Sequence, residues 1–336
     1  MPSSVKNDNG FMKNKICLLV LAIVLLALAS CKSSPKSEEN VSNINNVLQD
    51  SVVAILERHL VEYDAMEGVA IVMETESGKI RAMVGLEAKD DSAYARADSL
   101  AASKHSSALM RTVSVLAALN TGKVKPDDMF DSGVGLFVYD NDTIYDHNWR
   151  KGGYGELTLR QALAYSSDVA ITRAVDEAFP DKKDFLASVR KMSFGQSLEV
   201  EGLKVDSCLQ DSEMPWCYYA MGFQKITPLQ MLAFYNAIAN KDSIASPSSI
   251  ADIRGMLEDV VSKGLAKRAM SDKIKVAGMN GTIRNGDSTL TADFCGYFPA
   301  DKPKYTILVS VHRKEVPAAG GRMAGSIFKE IAEMLM

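Results

Sequence analysis

Strand-like segments stand at both ends of this sequence, with a long helical stretch between them, and that ordering limits the folds open to the chain. Near the start, "GVAIVMETESGKIRAMVGL" reads as a hairpin. Val69 to Met73 form one strand, Glu76, Ser77 and Gly78 turn the chain, and Ile80 to Val84 return. Near the end, "KIKVAGMNGTIRNG", "TADFCGYFPAD" and "KYTILVSVHR" are further strands before a closing helix, "GSIFKEIAEMLM". A helical pattern, "VLQDSVVAILERHLVEYDA", precedes the first hairpin. The expected class is therefore α+β: terminal strands pair into one antiparallel sheet, terminal helices cover it, and the middle forms a helical lobe.

The middle supplies the helices. "SSALMRTVSVLAAL" opens one, and Gly122 marks its end. "LTLRQALAYSSDVAITRAVDEAF" reads as one helix, as do "KKDFLASVRKM", "TPLQMLAFYNAIAN" and "SIADIRGMLEDVVSKGLAKRAM". Residues 86–105 read as a polar loop, and residues 130–157 as loops and short strands.

The first residues read differently. Lys13 and Lys15 precede an apolar run from Ile16 to Ala29, and small residues lead to Cys31. A basic flank, a short apolar stretch and a small-residue exit describe a secretory signal, too short to favour a spanning helix. The ending Leu28, Ala29, Ser30, Cys31 resembles the lipobox of bacterial lipoproteins, which implies cleavage before Cys31 and lipid on its sulfur. The expected organisation is a signal over 1–30, a lipidated polar tether over 31–44 and one domain over 45–336. Export places the domain in the cell envelope, facing the periplasm or exterior and held to a membrane through Cys31.

Of the remaining cysteines, Cys208 and Cys217 either close a short loop or stay as buried thiols beside Cys295. The four histidines are scattered and no Cys/His cluster has metal spacing, so neither metal nor cofactor is expected. A formal net charge of -4 without a long basic run argues against nucleic-acid binding.

From about residue 50 to 333, the chain resembles the transpeptidase domain of penicillin-binding proteins, class B most closely. The resemblance rests on the order and spacing of "VMETESGKIRAMVG", "VLAALNTGKVKPDDMFDSG", "DHNWRKGGYGELTLRQALAYSSDVA", "MGFQKITPLQMLAFYNAIAN", "AKRAMSDKIKVAGMNGT" and "FCGYFPADKPKYTILVSV". It implies a five-stranded antiparallel sheet flanked by N- and C-terminal helices, beside an all-helical subdomain.

The resemblance also implies three motifs: a nucleophilic serine with lysine one helical turn on, a Ser-x-Asn, and a Lys-Thr-Gly strand. At the first, this sequence has Ala108 and Arg111. Alanine offers no oxygen, and a guanidinium stays protonated and cannot serve as general base. At the second, Ser166 remains but Asp168 stands in place of the amide. Asp168 is expected to pair with Arg111 across the cleft. At the third, Met279, Asn280, Gly281 and Thr282 follow one another, so the positive charge is absent while a close-approach glycine and a hydroxyl remain. An edge strand with these features either accepts an extended peptide by strand addition or is an ordinary edge beside a helix. Arg322, in the glycine pair before the last helix, either lends charge to the cleft rim or is a solvated helix-start residue.

Loss of nucleophile, base and carboxylate-binding lysine together points to a catalytically inactive homologue. Its expected role is as scaffold, regulator or peptide binder in peptidoglycan synthesis, with cell-wall synthesis proteins or the stem peptide as partners. The alternative is an active D,D-transpeptidase or carboxypeptidase that uses Ser106, Ser107 or Ser166.

Overall fold

A computed structural model describes residues 42–89, 93–139, 142–209, 220–285, 287–314 and 319–336. Its first helix, α1 (Asn46–Tyr63), is capped by the Asn45 side chain, which accepts from the Leu48 amide. It buries Val52, Ile55, Leu56 and Leu60. The hairpin follows as β1 (Glu67–Glu74) and β2 (Ile80–Ala88). After a helical lobe come β12 (Ala277–Arg284), β13 (Leu290–Phe298), β14 (Tyr305–Arg313) and the closing helix α8 (Met323–Met334).

The sheet joins both ends of the chain. Its order is β12-β13-β14-β1-β2-β3, all antiparallel, with Ile71 opposite Leu308 at the β1–β14 seam. The count is six strands where five were expected. The extra one, β3 (Tyr94–Arg96), is a three-residue edge inside the stretch read as a polar loop. Short strands of this kind carry too little apolar alternation to announce themselves.

Both faces of the sheet are covered, which is why β1 and β13 are near-continuous apolar runs. Helices α1 and α8 cover one face, where Phe328 meets Phe294 at 4.6 Å and Phe298 at 5.8 Å between ring centroids. The opposite face packs on the helical lobe, through α6 (Pro228–Asn240) above all. Thr227 and Gln230 cap α6 reciprocally, and Pro228 takes the first-turn position where its missing N–H is harmless. Asn236 on α6 donates to the Thr75 carbonyl at 3.2 Å and accepts from Thr306 at 2.8 Å, pinning the lobe to the sheet.

The lobe's other described elements run in chain order. They are β4 (His105–Ser106), α2 (Met110–Asn120), β5 (Met129–Asp131), β6 (Leu136–Tyr139), β7 (Asp142–Tyr145), β8 (Glu156–Thr158), α3 (Leu159–Ala164), α4 (Asp168–Ala178) and α5 (Lys182–Lys191). Then come β9 (Leu198–Val200), β10 (Leu203–Val205), β11 (Lys225–Ile226), α6 and α7 (Pro247–Ser262).

Two expected helices are shorter than their patterns. The stretch 157–179 breaks into α3 and α4 because Ser166 adopts φ 53° and Ser167 caps a new helix by accepting from the Ala170 amide. The stretch 249–270 stops at Ser262, and the chain then turns so that the Leu265 amide donates to the Ala164 carbonyl at 3.0 Å.

Ser42–Met336 forms one compact unit, and Ser42 and Asn43 bond the Glu201 carboxylate between β9 and β10. Cys208 and Cys295 are buried, while Cys217, Cys31 and the signal lie outside the described residues. Among the described residues no helix is long and apolar enough to cross a membrane.

Candidate functional site

The site is assembled where α2, the α3–α4 break and β12 converge. β4 pairs with β11 and delivers the chain to the start of α2. The Ser107 amide donates to the Gly222 carbonyl at 2.9 Å. Gly222 has φ 101°, and a Cβ there would fall 2.0 Å from the Ser107 carbonyl oxygen, so no side chain fits. Ala108 follows, 1% exposed. From β12, Gly281 comes so near that a Cβ on it would lie 2.9 Å from the Ala108 Cβ.

Arg111 is buried on the first turn of α2 and meets Asp168 on the first turn of α4. Nε donates to Oδ1 at 2.7 Å and Nη2 to Oδ2 at 2.9 Å, a two-pronged pairing. Asp168 also sits at a helix N-terminus, where the backbone dipoles favour a carboxylate. Burial works to lower the Arg111 pKa, but the Asp168 charge and hydrogen bonds outweigh it and the pKa is raised. The guanidinium is thus fixed in its charged form.

A second carboxylate stands behind this pair. Asp146 is 0% exposed, accepts from Ser167 Oγ at 2.7 Å and from the Val169 amide at 3.1 Å, and its charge also acts on Arg111. Burial raises its pKa, and those two hydrogen bonds oppose the rise. Sequence reasoning missed Asp146, which lies in an irregular stretch where no periodicity separates buried from exposed positions. Beside it, His147 is held below its ordinary pKa, first by burial. Tyr154 lies 3.1 Å from His147 Nε2, stacks on Tyr165 at 5.4 Å, and is pushed by burial up to about 12.

The remaining expected residues divide. Ser166 reaches the site's edge with its hydroxyl buried and, among the described residues, without a hydrogen-bond partner. Side chains alternate along β12, so Met279 shares the face that Gly281 turns to Ala108, and is fully buried there. Asn280 and Thr282 share the other face. Asn280 Oδ1 is buried and unpartnered, while Thr282 Oγ1 accepts from the Gly320 amide at 2.8 Å. Arg322 is exposed at the start of α8, and its charge acts on Tyr63 of α1.

Ser106 and Ser107, the other two alternative nucleophiles, are engaged elsewhere. Ser106 Oγ donates to the Phe223 carbonyl at 3.1 Å. Ser107, 2% exposed, donates to Asp293 Oδ2 at 2.6 Å. Asp293, another residue that sequence reasoning passed over, had a visible signal: a lone carboxylate within the apolar "TADFCGYF". Among the described residues no group of three or more His, Cys, Asp or Glu is placed to hold a metal.

A sheet built from both chain ends, a helical lobe against one face and a cleft bounded by α2, the α3–α4 turn and β12 together define a transpeptidase-type domain. Residues 68–333 match the penicillin binding protein transpeptidase domain, and the chain belongs to that family. Among relatives, the chain is 23% identical to the probable peptidoglycan D,D-transpeptidase PbpC of Pseudomonas aeruginosa, over 89% of this chain and 59% of that protein. It is 29% identical to penicillin-binding protein 1A of Aquifex aeolicus, over 70% of this chain and 33% of that one. The chain thus spans less than two thirds of either relative.

Among solved structures, penicillin-binding protein 3 of Mycobacterium tuberculosis aligns with a TM-score of 0.74 at 20% identity, over 87% of this chain and 78% of that one. A peptidoglycan glycosyltransferase from Burkholderia ambifaria gives 0.73 at 22% identity, over 88% and 96%. At these identities the structural likeness speaks for the fold.

Proposed function

We propose that this protein is a non-catalytic member of its family, working in the cell envelope as a scaffold, regulator or peptide binder for peptidoglycan synthesis. The observation that carries the reading is the closed Arg111–Asp168 pair beside Ala108. Acyl transfer needs an oxygen nucleophile and a group able to take its proton. Here a methyl group occupies the first position, and a guanidinium locked to a carboxylate occupies the second. Met279 adds no charge to hold an anionic substrate end. The relatives' names bring peptidoglycan into the proposal, and the partners proposed are cell-wall synthesis proteins or the stem peptide. The proposal includes anchoring through lipid on Cys31, with residues 1–30 removed and 31–44 as tether.

The active-serine reading finds its best support in Ser107, whose hydroxyl touches a carboxylate. Burial of that hydroxyl keeps substrate away from it. Labelling with a fluorescent penicillin separates the two readings. The folded protein is expected to take no covalent label. A label that disappears on replacing Ser106, Ser107 or Ser166 with alanine would overturn the non-catalytic reading.

A further inference from the structure

Pro247, Ala251, Arg254 and Glu258 recur at spacings of four, three and four, which places them on one face of α7. That face borders a cavity of about 580 Å³, within the range of about 300–1,000 Å³ occupied by small-molecule sites. The rest of its wall comes from Ile250 and from the turn between α6 and α7, Lys241 to Ala245. The cavity shares no residue with the cleft around Ala108 and Arg111. Much of the lining is apolar, through Ala245, Pro247, Ile250 and Ala251.

The polar residue that sets the chemistry is Arg254, only 8% exposed. Its Nη1 donates to the Ile238 and Ala239 carbonyls at 3.3 and 2.6 Å, and its Nη2 to the Ala300 carbonyl at 2.8 Å. Its Cζ lies 5.0 Å from the centroid of the Tyr297 ring. The ring and the carbonyls hold the guanidinium in place, but they supply no more than the partial negative charge of a helix end. Among the described residues Arg254 has no carboxylate partner, and its Nε has no acceptor. The two acids of the wall are taken. Glu258, one turn on, pairs with Lys275 at 2.5 Å, and Asp242 accepts from Asn240 Nδ2 at 3.0 Å. Lys241 adds a second cation to the wall. A buried guanidinium without a carboxylate is costly, and a planar carboxylate is the partner that its fork fits.

We infer that this cavity is a binding site for a small organic carboxylate with a short aliphatic body. The carboxylate balances the charge of Arg254, and the body lies against Ala245, Pro247 and Ile250. An inorganic anion would leave the apolar wall in water, and an amine would face two cations. The site is independent of the cleft and stands whether or not the protein turns over a substrate.

Calorimetric titration of the full chain with hexanoate at pH 7 tests this. Two further titrants separate the contributions: acetate has the charge without the body, and hexylammonium has the body with the opposite charge. Hexanoate is expected to bind one-to-one, and the other two at least about tenfold more weakly. Arg254→Gln is expected to weaken hexanoate binding by about tenfold or more. Ala251→Phe, at an exposed position that leaves the Arg254 hydrogen bonds in place, fills the cavity and is expected to abolish binding. The inference is overturned by the lack of saturable hexanoate binding, by equal binding of acetate or hexylammonium, or by unchanged hexanoate affinity in either variant. If Arg254→Gln does not fold, Ala251→Phe and the hexylammonium comparison decide.

Discussion

At the scale of single residues, the cleft is dominated by one buried ion pair. Taking away either member leaves the other charge without compensation. Asp168→Ala is expected to destabilise the domain by about 3–5 kcal/mol, and an Arg111→Met, Asp168→Ala double variant by clearly less. Urea midpoints of the three proteins check this, and equal losses in the single and double variants would speak against it. The same pair determines what restoring a nucleophile achieves. Ala108→Ser returns the hydroxyl but not a proton acceptor, so the variant is expected to stay unlabelled by penicillin, and a labelled Ala108→Ser chain would show that Arg111 is no obstacle. The pairing was legible in the sequence through the resemblance to the transpeptidase family, which implies that Arg111 and Asp168 face each other across the cleft. Asp146 and Asp293 were not. Their roles come from hydrogen bonds to Ser167, Ser107 and Ser310, contacts that depend on three-dimensional approach.

At the scale of elements, the informative failure is the stretch from Leu157 to Phe179. Its apolar spacing continues through the α3–α4 break, so periodicity alone reads one helix. The break comes from local chemistry: Ser166 in the left-handed region and Ser167 as cap. That geometry swings Asp168 to a helix start facing α2. Because a non-glycine residue there is strained, Ser166→Gly is expected to stabilise the domain by about 1 kcal/mol, read as a rise in Tm. Gly222→Ala is expected to do the reverse, by about 2 kcal/mol or more, since the added methyl meets the Ser107 carbonyl. Calorimetry of both variants tests the two signs together. The β1–β2 hairpin and strands β12 to β14 appeared where the sequence put them, whereas β3 escaped notice for want of length.

At the scale of the whole molecule, His105 and His147, both held below their ordinary pKa first by burial, couple stability to pH in the same direction. His105 has a folded-state pKa below its unfolded value. Its contribution is therefore present above the unfolded pKa of about 6.5 and is lost as pH falls toward the folded one. Glu67 and Glu330 are lowered too, Glu67 chiefly by its bond to His312, while for Glu330 burial is the largest single influence and raises the pKa, but its bonds and charge contacts with Arg58 and His59 together outweigh it. Their contributions disappear at still lower pH, below the usual carboxylate range. Urea midpoints are expected to decline from pH 7.5 to 5.5 with a slope of up to about 1.4 kcal/mol per pH unit for each such proton, and to decline less steeply in His105→Gln, where His147 alone of the pair remains. A flat profile in the unmodified chain would contradict the burial assigned to His105. The β1–β14 seam has a consequence of another kind. Ile71 finds its neighbour Leu308 only after the entire helical lobe between them has been synthesised. Until then the central sheet has a gap at its middle and the faces of β1 and β2 away from α1 lack their cover, so folding is expected to finish late. A chain stalled before β14 offers those faces to chaperones and proteases instead, and quality control gains a simple signal that the product is unfinished.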